Sequence, residues 1–386
     1  MRTDNTPRVP SPTRPTTLRR GGEGAVGLSG LLLALGIVFV FLDYYGDITG
    51  FLWVSNSDDR MVAHLETQVG ESVDLIDGTG HDGQYFFLQA NDPWLLHPHE
   101  GLHLVDFPAY RAQRMLYPAL AGLGGLLSPP QILWGLVVTN IVAMGTGTWG
   151  LARLAALNGM SPWLGLAFAL NPGLIFELAI DGGALVGWAL AVWGLVAVQD
   201  RRWLVGAGLF SGAVLARETM VVVAIGACAF VWYSEGRLRP LLILAPFTAT
   251  GAWWLVVREQ LETMPSRTSS DLFDVPFRGL WEGAVNWIAT GGLNLALGLL
   301  VVFCSVAILA SAVLSPNLLA WATVGLVPLL FILNSAITVG GMNITRAMAP
   351  VVSAALVLIF GRRAFSGPAR PTTEPFPAVE VPTIGP

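Results

Sequence analysis

"VGLSGLLLALGIVFVFL", Val26 to Leu42, carries no charged residue. With its flanks it is long enough to cross a hydrocarbon core of about 30 Å as a helix. The Arg19-Arg20 pair ahead of it also suits a secretory signal, but no small-residue cleavage site follows and more apolar runs come after. The stretch therefore reads as a first transmembrane helix, and that reading sets the class of the chain.

Composition agrees. Of 386 residues 53% are hydrophobic and only 12% charged, about half the charged share of an ordinary soluble domain. All basic residues are arginine. A net charge of −5 with no basic stripe excludes nucleic acid as a partner. Cys228 and Cys304 lie inside apolar runs and read as small buried hydrophobes, so no disulfide framework is implied.

Apolar runs near 26–44, 131–152, 161–179, 182–199, 203–216, 218–234, 238–257, 291–313, 318–337 and 347–361 predict an all-α polytopic membrane protein of about ten spans. Residues 116–128 are too short to span and read as interfacial. Threading from a cytoplasmic N-terminus leaves Arg153, Arg201, Arg202, Arg237, Arg239, Arg362 and Arg363 inside, as short-loop positive charge requires. Both termini are then cytoplasmic, in a plasma membrane, and the long loop 45–115 faces outward. The domain reading is a disordered tail over 1–25, a transmembrane domain over 26–361 and a second disordered tail over 362–386.

Polar chemistry gathers in that loop and at the outer helix ends. "GHDGQYFF" (80–87) flanks Asp82 with glycines, which let the backbone turn and present the carboxylate without a bulky neighbour; the plainer reading is an Asx-type turn. The aromatics of "QYFFLQANDPW" (84–94) argue against disorder. In "DFPAYRAQRMLYP" (106–118) Arg111 and Arg114 are three apart on a short helix predicted to begin after Pro108. That spacing puts both guanidiniums on one face, suited to a phosphate or to lipid headgroups. Tyr110 and Tyr117 fit an interfacial belt. Asp181, the Arg217-Glu218 pair and Arg346 fall at outer helix ends, where ionisable groups are costly and so are functional candidates. Arg217 beside Glu218 also reads as a structural ion pair.

"HEGLH" (99–103) matches the zinc pattern in which His99 and His103, one helical turn apart, bind metal and Glu100 acts as general base. Gly101 weakens that helix and no third ligand is evident. "GTGHDG" (78–83) matches a dinucleotide-binding glycine pattern but follows no βαβ strand, so no cofactor follows from it.

"GHDGQYFFLQANDPW" with "FPAYRAQRMLYP", set in this topology, resembles the GT-C superfamily of polytopic glycosyltransferases, in particular bacterial mannosyltransferase-like or cell-surface glycopolymer membrane proteins. The resemblance implies inverting transfer of a sugar from a polyprenyl-phosphate donor to a glycan or lipid acceptor of the cell envelope, with no cofactor and no required metal. It implies Asp82 as general base, with Asp92 and Asp106 as alternatives. Arg111, Arg114, Arg217 and Arg346 would hold the donor phosphate, and His81, Gln84, Tyr85, Asp92, Asp106, Asp181 and Glu218 would contact substrate. Two other classes stay open: a transporter or flippase of lipid-linked sugars, which the span count fits equally, and a membrane zinc protease using His99, Glu100 and His103.

Overall fold

The computed structural model describes residues 22–78, 80–98, 101–262 and 273–363. The chain is all-α: α1 (Gly22–Tyr45), α2 (Asp59–Val69), α3 (Asp82–Asn91), α4 (Pro108–Ala112), α5 (Leu116–Ala121), α6 (Pro129–Leu157), α7 (Leu166–Ala169), α8 (Pro172–Ala179), α9 (Ala184–Gln199), α10 (Trp203–Ala216), α11 (Met220–Glu235), α12 (Leu241–Leu261), α13 (Arg278–Thr290), α14 (Gly292–Leu314), α15 (Leu318–Val324), α16 (Leu329–Ile332), α17 (Ser335–Thr338), α18 (Gly341–Ala347) and α19 (Ala349–Arg363). A two-residue parallel ladder, Val54–Ser55 against Leu75–Ile76, lies between α1 and α3. The long loop is thus folded, as its aromatic content predicts.

Four helices (α1, α6, α12 and α14) are long and apolar enough to cross a membrane, and six spans result if two bent helix pairs count as one each. The helices α9, α10 and α11 and the stretch Leu318–Ile332 are apolar but shorter. On α1, Ala34 and Val38 are buried while Leu28, Leu32, Phe39 and Val40 face outward, the pattern of a helix with one side packed and one side toward lipid. Its packed side lies along α6, where a Cβ on Gly30 would collide with Thr148; the small residue allows the helices to approach closely.

Two of the expected tail boundaries shift. Residues 22–25 belong to α1 and Arg362 and Arg363 to α19; residues 1–21 and 364–386, which hold the rest of both expected tails, lie outside the described residues.

The two bent pairs position the site. The expected span 161–179 breaks by 47° between Pro162–Ala169 and Pro172–Ala179. Pro172 cannot donate back into the preceding turn, so it restarts the helix at its own first position. Asn171 caps that restart through Gly173 N at 2.9 Å. The last span breaks by 77° between Gly341–Ala347 and Ala349–Gly361. The two breaks are tied together: Asn171 Nδ2 donates to Ala349 O at 2.8 Å and to Ser353 Oγ at 2.8 Å. At Gly173 a Cβ would strike the Thr345 carbonyl, so α8 and α18 meet backbone to backbone. One carries Glu177, the other Arg346.

Candidate functional site

Asp82 is the first residue of α3 rather than part of a solvated turn. A carboxylate in a first helical turn is favoured by the exposed N–H groups there. Gly83, next to it, is helical; its role is close approach, since a Cβ would stand 2.7 Å from Ile180 O and 2.8 Å from Phe51 O. The left-handed glycine that turns the chain is Gly78, at φ +105°.

Three arginines converge on this buried carboxylate. Arg111 Nη1 donates to Oδ1, Arg346 Nη2 donates to Oδ2 at 3.3 Å, and Arg114 Nη1 stands 3.7 Å from Oδ2. Each arginine holds a second acid. Arg111 Nε donates to Asp106 Oδ1 at 3.1 Å, with its guanidinium 4.3 Å from the centre of the Tyr85 ring. Arg114 grips Glu218 with both prongs, at 2.8 and 2.7 Å, and lies 4.9 Å from the Tyr110 ring centre. Arg346 Nε reaches Glu177 Oε1 at 3.2 Å, and Arg217 Nη1 reaches the same oxygen at 4.0 Å.

Four guanidiniums thus share four carboxylates. Burial by itself would raise the Asp82 carboxyl, but Arg111, Arg346, Arg114 and Arg217 outweigh it and hold the group well below the usual carboxylate range. The His81 imidazole is lowered as well: burial, then the Arg346 guanidinium, pushes it down to about 4, so the ring is neutral at pH 7. Burial, then Asp106, pushes Tyr85 up to about 12.

The short helix predicted after Pro108 forms as α4 with Pro108 in its first turn. It ends at Ala112, so Arg114 lies beyond it, yet both arginines reach Asp82. Arg217 and Glu218 are not paired with each other; they turn to Glu177 and Arg114 respectively. Gln84 is buried, and its amide fills the space beside Gly80 that a Cβ would need.

Three expectations are corrected by position. Asp92 accepts from Leu96 N at 2.8 Å and His97 N at 2.6 Å, which makes it the cap of the turn after α3 instead of a member of the arginine cluster. Tyr117 is fully buried, with its hydroxyl on Leu136 O and receiving Asn140 Nδ2; it belongs to the core and not to an interfacial belt. Asp181 sits in the turn between α8 and α9 at φ +47°, buried, and no described cation lies within ion-pair distance. Burial pushes its carboxyl well above the usual range. It neither holds the arginines nor faces an open site.

Glu177 is the member that sequence reading did not single out. It is fully buried, its Oε2 accepting from Ala184 N at 3.0 Å while Oε1 faces two arginines. A lone carboxylate inside "NPGLIFELA" was the available signal, since an acid within an apolar run requires a cation.

The zinc pattern is covered only in part. His103 lies on a three-residue 3₁₀ turn, Leu102–Leu104, while His99 and Glu100 fall outside the described residues. Among the described residues no group of three or more His, Cys, Asp or Glu is placed to hold a metal ion. Compared with known proteins, the chain matches no family model, no curated protein and no solved structure.

Proposed function

We propose that this chain is a GT-C-like membrane glycosyltransferase that moves a sugar from a polyprenyl-phosphate donor to an envelope glycan or lipid acceptor on the extracytoplasmic face. One observation carries the reading: a buried carboxylate shared by three guanidiniums. Guanidiniums held in a poorly hydrated site are suited to the charge that develops on a departing phosphate. A carboxylate among them is placed to take a proton.

In the reaction, the acceptor hydroxyl oxygen bonds to the anomeric carbon as that carbon's bond to the phosphate oxygen breaks. The electron pair leaves with the lipid phosphate, and the hydroxyl proton passes to Asp82. While three arginines hold Asp82 it is a weak base. An incoming phosphate competes for Arg111 and Arg346 and adds negative charge to a balanced cluster, and both effects return basicity to Asp82. Asp106, on Arg111 at the exposed edge, is the acid that yields first to an arriving anion. Arg114 is clamped by Glu218 and keeps its place.

The lipid chain of the donor would lie along the outward apolar faces of the helices, and the inside arginines orient the loop 45–115 away from the cytoplasm. The test is complementation of a strain lacking the gene, with envelope glycan composition as readout and membrane levels of each variant matched. Asp82→Asn should lose one glycan linkage and Asp92→Asn should retain it. Wild-type glycan with Asp82→Asn would refute the reading. Loss on Glu100→Gln together with sensitivity to chelation would favour the zinc protease.

A further inference from the structure

Beside the arginine cluster three aromatic rings meet edge to face. The Trp53 ring centre is 5.2 Å from His81 and 5.6 Å from Phe176, and His81 is 5.6 Å from Phe176. All three side chains are partly exposed. Trp53 is held in the left-handed region, at φ +50° and ψ +60°, a conformation that a non-glycine residue adopts at a cost. Its carbonyl accepts from His81 N at 3.0 Å and its Nε1 donates to Tyr45 Oη at 2.8 Å. Tyr45 in turn donates to Ala179 O at 3.2 Å, at the end of α8. The outlier is therefore fixed by the elements that carry the cluster: α8 supplies Phe176 next to Glu177, and α3 begins just after His81.

Arg346 fixes the state of His81. Its Nη1 stands 3.4 Å from His81 Nδ1. A guanidinium has donors only, so Nδ1 accepts and the single ring proton resides on Nε2. The depressed imidazole keeps the ring neutral at pH 7. Among the described residues no acceptor is hydrogen-bonded to Nε2. The result is one oriented neutral donor, walled by two apolar rings, a guanidinium's width from the arginines. A cation is repelled by Arg346 and Arg111, and an anion is drawn past the rings onto them. What suits the rings themselves is a neutral, hydroxyl-bearing group with C–H faces, covalently attached to the anion.

We propose that Trp53, His81 and Phe176 form the subsite for the sugar ring of a lipid-linked phosphosugar whose phosphate lies on Arg346 and Arg111. This rests on the transferase reading and adds to it which residues select the glycosylated donor over the spent lipid phosphate. A ring hydroxyl accepts from His81 Nε2, and the sugar's C–H face packs on the indole and phenyl rings.

The experiment is a binding titration on purified, full-length protein in nanodiscs. The probes are farnesyl phosphate and farnesyl phosphate carrying one hexose or one pentose. Wild type should bind one of the glycosylated probes tighter than farnesyl phosphate by roughly five- to tenfold, the scale of one good hydrogen bond with ring packing. His81→Phe and Trp53→Leu should still bind farnesyl phosphate but lose that preference. The retained binding shows that they fold. His81→Gln, which keeps a donor, should retain part of it. If the wild type binds farnesyl phosphate with no preference, or if both variants keep the preference, the subsite is refuted and the phosphate site stands. If the wild type binds none of the three probes, the transferase reading falls with it.

Discussion

Asp82 and Asp181 are two buried aspartates on abutting backbone: Gly83 comes so close to Ile180 O that a Cβ would stand 2.7 Å from it. Their surroundings are opposite. Asp82 faces three guanidiniums and is held ionised far below the usual range. Asp181 faces no described cation; it lies near Asn140, Tyr117 and Tyr45, and burial raises its carboxyl well above the usual range. Asp181 Oδ1 and Asn140 Oδ1 each lack a hydrogen-bond partner. Position near helix ends does not by itself decide what an acid does; the number of guanidiniums around it does.

The largest effect is expected from removing the shared anion. Asp82→Ala leaves Arg111, Arg346 and Arg114 partly uncompensated in a buried setting, a loss of about 3–5 kcal/mol, seen as a lower melting temperature of the detergent-solubilised protein. Its pH dependence has a definite sign. A depressed folded-state value means that Asp82 contributes stability above the unfolded value of about 4 and loses it as pH falls below that. The gap between wild type and Asp82→Asn should narrow in acid.

Next is Glu177→Gln, which keeps the shape and the Ala184 contact but releases Arg346 and Arg217. About 2–3 kcal/mol should be lost, in the same thermal assay. Asp181→Ala should cost about 1–3 kcal/mol through the lost contact with Asn140 and the space left behind. Asp181→Asn should cost less than about 1 kcal/mol, because a neutral amide of the same shape suits the burial that raises the carboxyl. Here the sign reverses: a raised folded-state value penalises wild type as pH rises above about 4, so Asp181→Asn should gain on wild type from pH 5 to pH 8. The smallest effect is Asp92→Ala, the loss of a turn cap worth about 1 kcal/mol. If Asp181→Asn proves as damaging as Asp82→Ala, the contrast between the two acids is wrong.

Much of this arrangement was legible in residues whose chemistry is costly in an apolar chain. Arg217, Glu218 and Arg346 were marked by that rule, Asp82 by its flanking glycines and Arg111 and Arg114 by their spacing, and the structure brings them together. What was not legible depends on the tertiary path. Asp82 opens a helix that Gly83 makes improbable by propensity, because the glycine is required by the neighbouring backbone. Glu177 was hidden because its partners lie on distant helices, and the span containing it bends at Pro172. Asp92 and Asp181 have the same side chain and similar settings as Asp82 in sequence; only burial and the reach of arginines separate them. Tyr117 follows a predicted interfacial pattern, yet Asn140, about three turns into α6, draws its hydroxyl inward.

The most direct test of the central claim is transfer of labelled sugar from a polyprenyl-phosphate donor by purified protein, comparing wild type, Asp82→Asn and Asp181→Asn at matched fold and matched donor binding. Expected is a loss of at least about 100-fold for Asp82→Asn, the scale of a general base, with Asp181→Asn within about threefold of wild type, as a buried group in contact with none of the arginines allows. Undiminished transfer by Asp82→Asn, or its loss in Asp181→Asn alone, would contradict the assignment of the arginine-held carboxylate as the catalytic one.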